Sequence, residues 1–156
     1  MDKTINALYV YPVKSCGGIT VEELELLPYG PRHDRMLVIV DEDGQAITQR
    51  EEPRLSLVRT AFSEQSLVIR FPPWTESIST PLEREAGEER EAVVWGDTCL
   101  GIDEGNEIAE AFSTFLNRPC RVVRYTPKNP RLRMSSFLEK RISISFADDE
   151  HVERIA

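Results

Sequence analysis

The stretch Tyr11-Pro12-Val13-Lys14-Ser15-Cys16-Gly17-Gly18 puts an ammonium, a hydroxyl, a thiol and several backbone N–H groups within a few residues of each other. That combination suits an oxyanion: successive N–H groups of a glycine turn make a nest for negative charge, and a lysine adds a point charge. Further along, Arg35 opens the most apolar run of the chain with Asp34 beside it. A guanidinium oriented by a carboxylate offers a planar fork to a phosphate or another carboxylate. The plain alternatives are a solvated strand exit at Lys14-Ser15 and an Asp–Arg pair that only anchors a strand end. His33 stands where it could reach a ligand beside Arg35, although a partly exposed loop histidine is the commoner outcome. Cys16, with Lys14 and loop amides around it, is the best placed of the thiols to have a depressed pKa, against the simpler reading of a buried, inert cysteine.

Other chemistries find little support. Ser15 has no neighbouring histidine, and His33 and His151 are the only histidines. Neither sits in a nucleophile motif, and no Walker or GxGxxG sequence is present. The cysteines (Cys16, Cys99 and Cys120) are odd in number, well separated and without CxxC spacing, which reads as reduced thiols in a cytoplasm. Asp41 and Asp43 before Gly44 lack the following acids that a calcium loop needs. A net charge of −8 and the absence of a broad basic face argue against nucleic acid. No apolar run is long enough to span a bilayer, and residues 1–6 lack the apolar segment of a secretory signal.

The elements that must position these residues are short. Strand-like runs rich in β-branched and aromatic types cover 5–11, 19–21, 24–27 and 36–40. An Asp43-Gly44 turn predicts a hairpin that returns along 46–50. A second hairpin joins 55–62 to 66–71, and a third joins 92–95 to 98–102 across Gly96-Asp97. Residues 75–91, dense in glutamate and poor in apolar anchors, read as a solvated loop. Then the period changes. Ile108, Ala111, Phe112, Phe115 and Leu116 fall on one helical stripe, predicting a helix over about 105–117, with Asp103 or Asn106 as cap. Strands follow at 120–125 and, with strict alternation, at 142–146. Many short strands and one helix make the chain mainly β, a distorted barrel or a sandwich, in one domain over 1–156.

Charge is unevenly spread. From Arg121 to Arg141, seven basic residues stand against the single acid Glu139. Such a stripe on an acidic chain suits a small anion or an acidic protein partner, or serves only solubility.

Taken in order, Tyr11 to Gly18, Asp34-Arg35 before an apolar strand, Asp43-Gly44 and Thr48-Gln49-Arg50-Glu51-Glu52-Pro53-Arg54-Leu55 resemble the N-terminal β-barrel domain of MOSC proteins. Val94-Trp95-Gly96, Phe115-Leu116 and Ser145-Phe146-Ala147-Asp148 extend the resemblance over about 5–148. The resemblance implies a distorted β-barrel and one side of a site for the molybdenum cofactor (molybdopterin), which in that family lies between this domain and a MOSC domain and serves to reduce N-hydroxylated compounds. Carried over by position, Lys14 and Ser15 match the family's Lys-Ser pair and Arg35 its Asp-Arg arginine, the residues expected to hold the pterin and its phosphate. The family's molybdenum-ligating cysteine belongs to the MOSC domain, and none of Cys16, Cys99 or Cys120 occupies a corresponding motif. The expectation is therefore a module with no metal ligand and no catalytic residue of its own, inactive alone. Its expected partner is a separately encoded MOSC domain or an electron-transfer protein. The alternative is a non-catalytic module that docks an acidic partner through the 121–141 stripe. From about 149 the sequence departs from the family pattern, as in a truncated gene or a free-standing module.

Overall fold

A computed structural model describes residues 5–27 and 30–126. The strand expected at 142–146, and the 128–141 part of the basic stripe, lie outside the described residues.

The centre of the fold is β5 (Leu37–Val40), in which every residue is buried. Two faces explain this. Leu37 and Ile39 point into the main core, with Val13, Ile47, Leu55, Leu67, Ile69 and Phe112. Val38 and Val40 join Ala92, Val94 and Val123 in a smaller cluster on the other side. β5 pairs antiparallel with β11 (Arg121–Arg124), Val38 standing opposite Val123. The same sheet continues through β10 (Asp97–Asp103) to β9 (Glu89–Val94), in the order β5-β11-β10-β9. A second antiparallel sheet holds β6 (Arg59–Ser63), β7 (Ser66–Arg70) and β8 (Ser77–Pro81). Two small hairpins complete the strands: β1 (Leu8–Val10) with β2 (Ile19–Val21), and β3 (Leu26–Leu27) with β4 (Gly30–Pro31). The sheets do not close, so the chain is mainly β in the form of a distorted barrel with one helix.

That helix, α1 (Asn106–Leu116), buries Ile108, Ala109, Phe112 and Leu116 and leaves Glu107 and Glu110 exposed. Phe71 meets Phe112 edge-on at 4.9 Å, joining the β7 end to the helix. Its start is capped neither by Asp103 nor by Asn106. Gly105 is the capping residue, and the Asp103 carboxylate accepts the Gly105 N–H at 2.8 Å instead. Asn117 ends the helix in the left-handed conformation. Arg54 donates to the Phe115 and Leu116 carbonyls at 3.2 and 3.0 Å, placing a cation at the negative end of the helix dipole.

Three expectations are corrected. Segment 46–50 leaves the ladder after a bridge at Ala46 and the Ile47 N–H bond to Ile39, so the Asp43-Gly44 turn opens no regular hairpin. Residues 53–57 form a 3-10 helix started by Pro53, not the beginning of a strand. The acidic segment 75–91 is no loop either: it supplies β8 and the first half of β9. Thr80 is buried there against Glu104, and Arg90 is matched by Asp103 at 2.5 Å.

Candidate functional site

Backbone pairing brings the two candidate segments together. The Lys14 N–H donates to Leu37 O at 2.8 Å and Leu37 N–H to Pro12 O at 3.0 Å, a short parallel bridge between Val13 and Leu37. One step earlier the Arg35 N–H donates to Tyr11 O at 2.7 Å, and the Tyr11 N–H donates to the Asp34 carboxylate at 2.8 Å. Because residues 11–14 and 34–37 are zipped to each other, Lys14 and Arg35 reach the same cavity. Two further segments reach the same place. Gln49 donates its side-chain N–H to Ser15 O at 2.7 Å. Ala46 and Gly44 bond both ways with Val93, which brings the tip of the β9–β10 hairpin over residues 48–50.

The result is a cavity of about 320 Å³ lined by Tyr11, Lys14, Ser15, Arg35, Arg50 and Trp95, with Thr48, Gln49 and the Cys16 wall filling the gaps. Among the described residues three cations line it and no carboxylate does, on a chain of net charge −8. Asp34 stands behind Arg35 and accepts a hydrogen bond from its Nη1. The Arg35 guanidinium also lies 5.1 Å from the Tyr11 ring centroid. Such a fork keeps donors for an oxyanion while its direction is fixed by the carboxylate and the ring.

Backbone strain gathers here. Ser15, Arg35 and Trp95 have φ of 71°, 49° and 61°, in the left-handed region that disfavours side chains. Gly17 has no room for a side chain, since a Cβ would stand 2.7 Å from Val58 O. That close approach is what lets the Gly17 N–H donate to Val58 O at 2.9 Å.

The same bonds overturn the expected backbone nest. The N–H groups of Lys14, Cys16 and Gly17 are spent on the carbonyls of Leu37, Val13 and Val58. An anion in this cavity would meet side chains: the Lys14 ammonium, the Ser15 hydroxyl and the arginine forks. The reactive-thiol reading of Cys16 is also corrected. The residue is 2% exposed, and burial pushes its thiol up to about 12. His33 is not in the cavity lining; it packs on Phe62 at 5.6 Å, and burial lowers its pKa.

Of the basic stripe, Arg121 and Arg124 are described, and both are committed internally. Arg121 pairs with Asp103, whose carboxyl burial pushes up but which Arg121, the Gly105 N–H and Arg90 together hold below its ordinary range. Arg124, 4% exposed, pairs with Glu104 at 2.5 Å and donates to the Pro81 and Leu82 carbonyls. Among the described residues no group of His, Cys, Asp and Glu is arranged to hold a metal ion. No helix of the described residues is long and apolar enough to cross a membrane.

Arg50 and Trp95 escaped the sequence reading as site residues, although both stood in the motifs that carried the resemblance. The available signal was a tryptophan beside a glycine between two strand-like runs, where an apolar side chain has no core to enter.

The fold and this loop arrangement define a distorted β-barrel module with an open, cation-lined cavity. The chain matches the MOSC N-terminal beta barrel domain over residues 2–119, and it belongs to that family. It is 32% identical over 130 residues to molybdenum cofactor sulfurase of Danio rerio, covering 80% of this chain and 16% of that protein. It is 34% identical over 117 residues to mitochondrial amidoxime reducing component 2 of Macaca fascicularis, covering 72% of this chain and 35% of that one. With the Bos taurus counterpart it shares 30% identity over 154 residues, 93% of this chain and 46% of the relative. The chain therefore spans less than half the length of these relatives. A solution structure of a Bordetella bronchiseptica protein superposes with a TM-score of 0.55 at 21% identity, over 69% of this chain and 90% of that one, a likeness of fold.

Proposed function

We propose that the cavity is one half of a molybdenum-cofactor site, in an oxidoreductase that reduces N-hydroxylated compounds. The observation that carries the reading is the convergence of Lys14, Ser15 and Arg35, from two zipped segments, on one cavity. Family membership, together with relatives named for molybdenum cofactor sulfuration and amidoxime reduction, supports the choice of ligand. The donor set fits the group. A pterin phosphate presents a dianionic head, for which an ammonium, a hydroxyl and an oriented guanidinium are the ordinary protein partners.

In this reading Lys14 and Arg35 neutralise the phosphate, and Ser15, held in the left-handed conformation, donates its hydroxyl to it. Asp34 and Tyr11 fix the direction of the Arg35 fork. The bound cofactor would supply redox chemistry at molybdenum. The chain's part is to bind and orient: Cys16 is buried and protonated, and, as the family resemblance implies, the metal's protein ligand would come from a second domain, encoded with this one or separately. Alone, the module is then expected to bind without reducing substrate.

A chemical-shift titration with a pterin phosphate tests this. Shifts concentrated at 14–18 and 35, lost in Lys14→Gln and Arg35→Gln, are the expected result. Shifts spread evenly, or none at the loop, would remove the reading.

A further inference from the structure

The cavity holds a third cation that the family motifs did not assign. Arg50 is exposed and, among the described residues, has no carboxylate within ion-pair distance, unlike Arg35, which gives part of its fork to Asp34. What holds Arg50 is Trp95: its guanidinium carbon lies 5.1 Å from the indole centroid. The Lys14 ammonium lies 5.5 Å from the same ring. One indole thus gathers two like charges, from segments 14–15 and 48–50, into one cavity. Among the described residues the lining holds no carboxylate, and an exposed guanidinium such as Arg50, held by a ring and not by an acid, is a contact that a bound dianion would complete.

Trp95 is an unusual residue for this place. It is 66% exposed at the tip of the β9–β10 hairpin, where Val94 pairs with Asp97. The two turn residues, Trp95 and Gly96, have φ of 61° and 86°. A two-residue turn with both φ positive prefers Asn-Gly or Gly-Gly, so a bulky aromatic there strains the backbone and gains no burial in return. Such strain points to a use at the site, and the ring's two cation contacts supply one.

We propose that Arg50 is a further anion-contacting residue of this site and Trp95 its positioning residue, the ligand class being a phosphate monoester dianion. This rests on the cavity being the phosphate site argued above. Arg50 offers its whole fork to the phosphate, Arg35 the remainder of its own, and Lys14 a point charge. Trp95 touches no phosphate oxygen; its ring sets where Arg50 and Lys14 stand.

The test is a titration of the full chain with inorganic phosphate at low salt, followed by amide and indole N–H shifts. Arg50→Gln is expected to weaken phosphate about tenfold, the loss of one charge-assisted contact at an open site. Trp95→Leu is expected to weaken it about fivefold through two exposed cation–π contacts, while Trp95→Phe, which keeps a ring, stays within about twofold. In the Trp95→Leu background, Arg50→Gln should weaken phosphate by distinctly less than tenfold, because Arg50 is already misplaced. Thermal midpoints should not move, since both residues are exposed; rescue by Phe and coupling to Arg50 are effects that a merely structural tryptophan would not give. Phosphate affinities of Arg50→Gln and Trp95→Leu within twofold of wild type would overturn the inference. If Lys14→Gln and Arg35→Gln still weaken binding in that case, the half-site reading survives and this inference alone fails. If instead only Arg50→Gln weakens it, Arg50 stands as an anion contact and the Lys14–Arg35 reading fails. No phosphate binding by the wild type would remove both.

Discussion

Replacing Arg124 by Met tests how the sheet beneath the site is held together. Arg124 closes the β10–β11 register opposite Ile102, is 4% exposed, and meets Glu104 through Nε at 2.5 Å and Nη2 at 3.2 Å. Its other donors go to Leu82 O at 2.8 Å and Pro81 O at 2.7 Å, tying β8 to the larger sheet. Met retains most of the stem's packing, so the cost is electrostatic. Glu104, 6% exposed, would keep the Thr80 hydroxyl and the long 4.0 Å contact with Arg84 but lose its close cation, and breaking a buried pair from one side costs about 3–5 kcal/mol. Against a total stability of about 5–15 kcal/mol, that is a large fraction. Removing both charges, as Arg124→Met with Glu104→Leu, should recover part of the loss, because no charge is then stranded. Recovery should stop short of wild type by about 1–3 kcal/mol, since the Pro81 and Leu82 carbonyls still lack donors. Urea unfolding measures all three proteins, with the slope checked for constancy. A single variant within about 1 kcal/mol of wild type, or a double variant worse than the single, would refute the reasoning.

Two further outcomes follow. At neutral pH a thiol reagent should label the half-buried Cys99 before Cys16, whose thiol is pushed up to about 12 by burial; fast labelling of Cys16 in the folded protein would contradict this. Asp103 titrates below its ordinary value of 3.8 in the folded state, so its contribution is present above that value and is lost as pH falls through the folded pKa. Asp103→Asn should therefore be less stable than wild type at pH 7, and the gap should narrow in acid; a gap independent of pH would contradict it.

Much of the frame was legible because it rests on local pattern. The apolar run at 36–40 became the buried strand β5, and the 3.6-residue stripe from Ile108 to Leu116 became α1. What escaped depends on distant partners. The glutamates of 83–91 suggest a loop until Asp103 and Glu104 are seen to attract Arg90, Arg84 and Arg124 from across the sheets. The nest at Lys14–Gly18 failed for the same reason: Val58 O and Leu37 O, remote in sequence, consume its amides. Segment 46–50 looked like a strand because Ile47 is apolar, yet it joins the sheet only at Ala46 and Ile47, Thr48 O is taken by the turn N–H groups of Glu51 and Glu52, and Thr48, Gln49 and Arg50 line the cavity. Lys14, Ser15 and Arg35 stood out by residue type, whereas Arg50 and Trp95 became visible only when the hairpin tip was placed over them.

The central claim is that Lys14 and Arg35 grip a phosphate together. Calorimetric titration of a pterin phosphate into wild type, Lys14→Gln, Arg35→Gln and the double variant measures it directly. The expected result is saturable binding whose affinity falls about tenfold or more in each single variant, as loss of a charge-assisted contact requires, and becomes undetectable in the double. Equal affinity in all four proteins would contradict it.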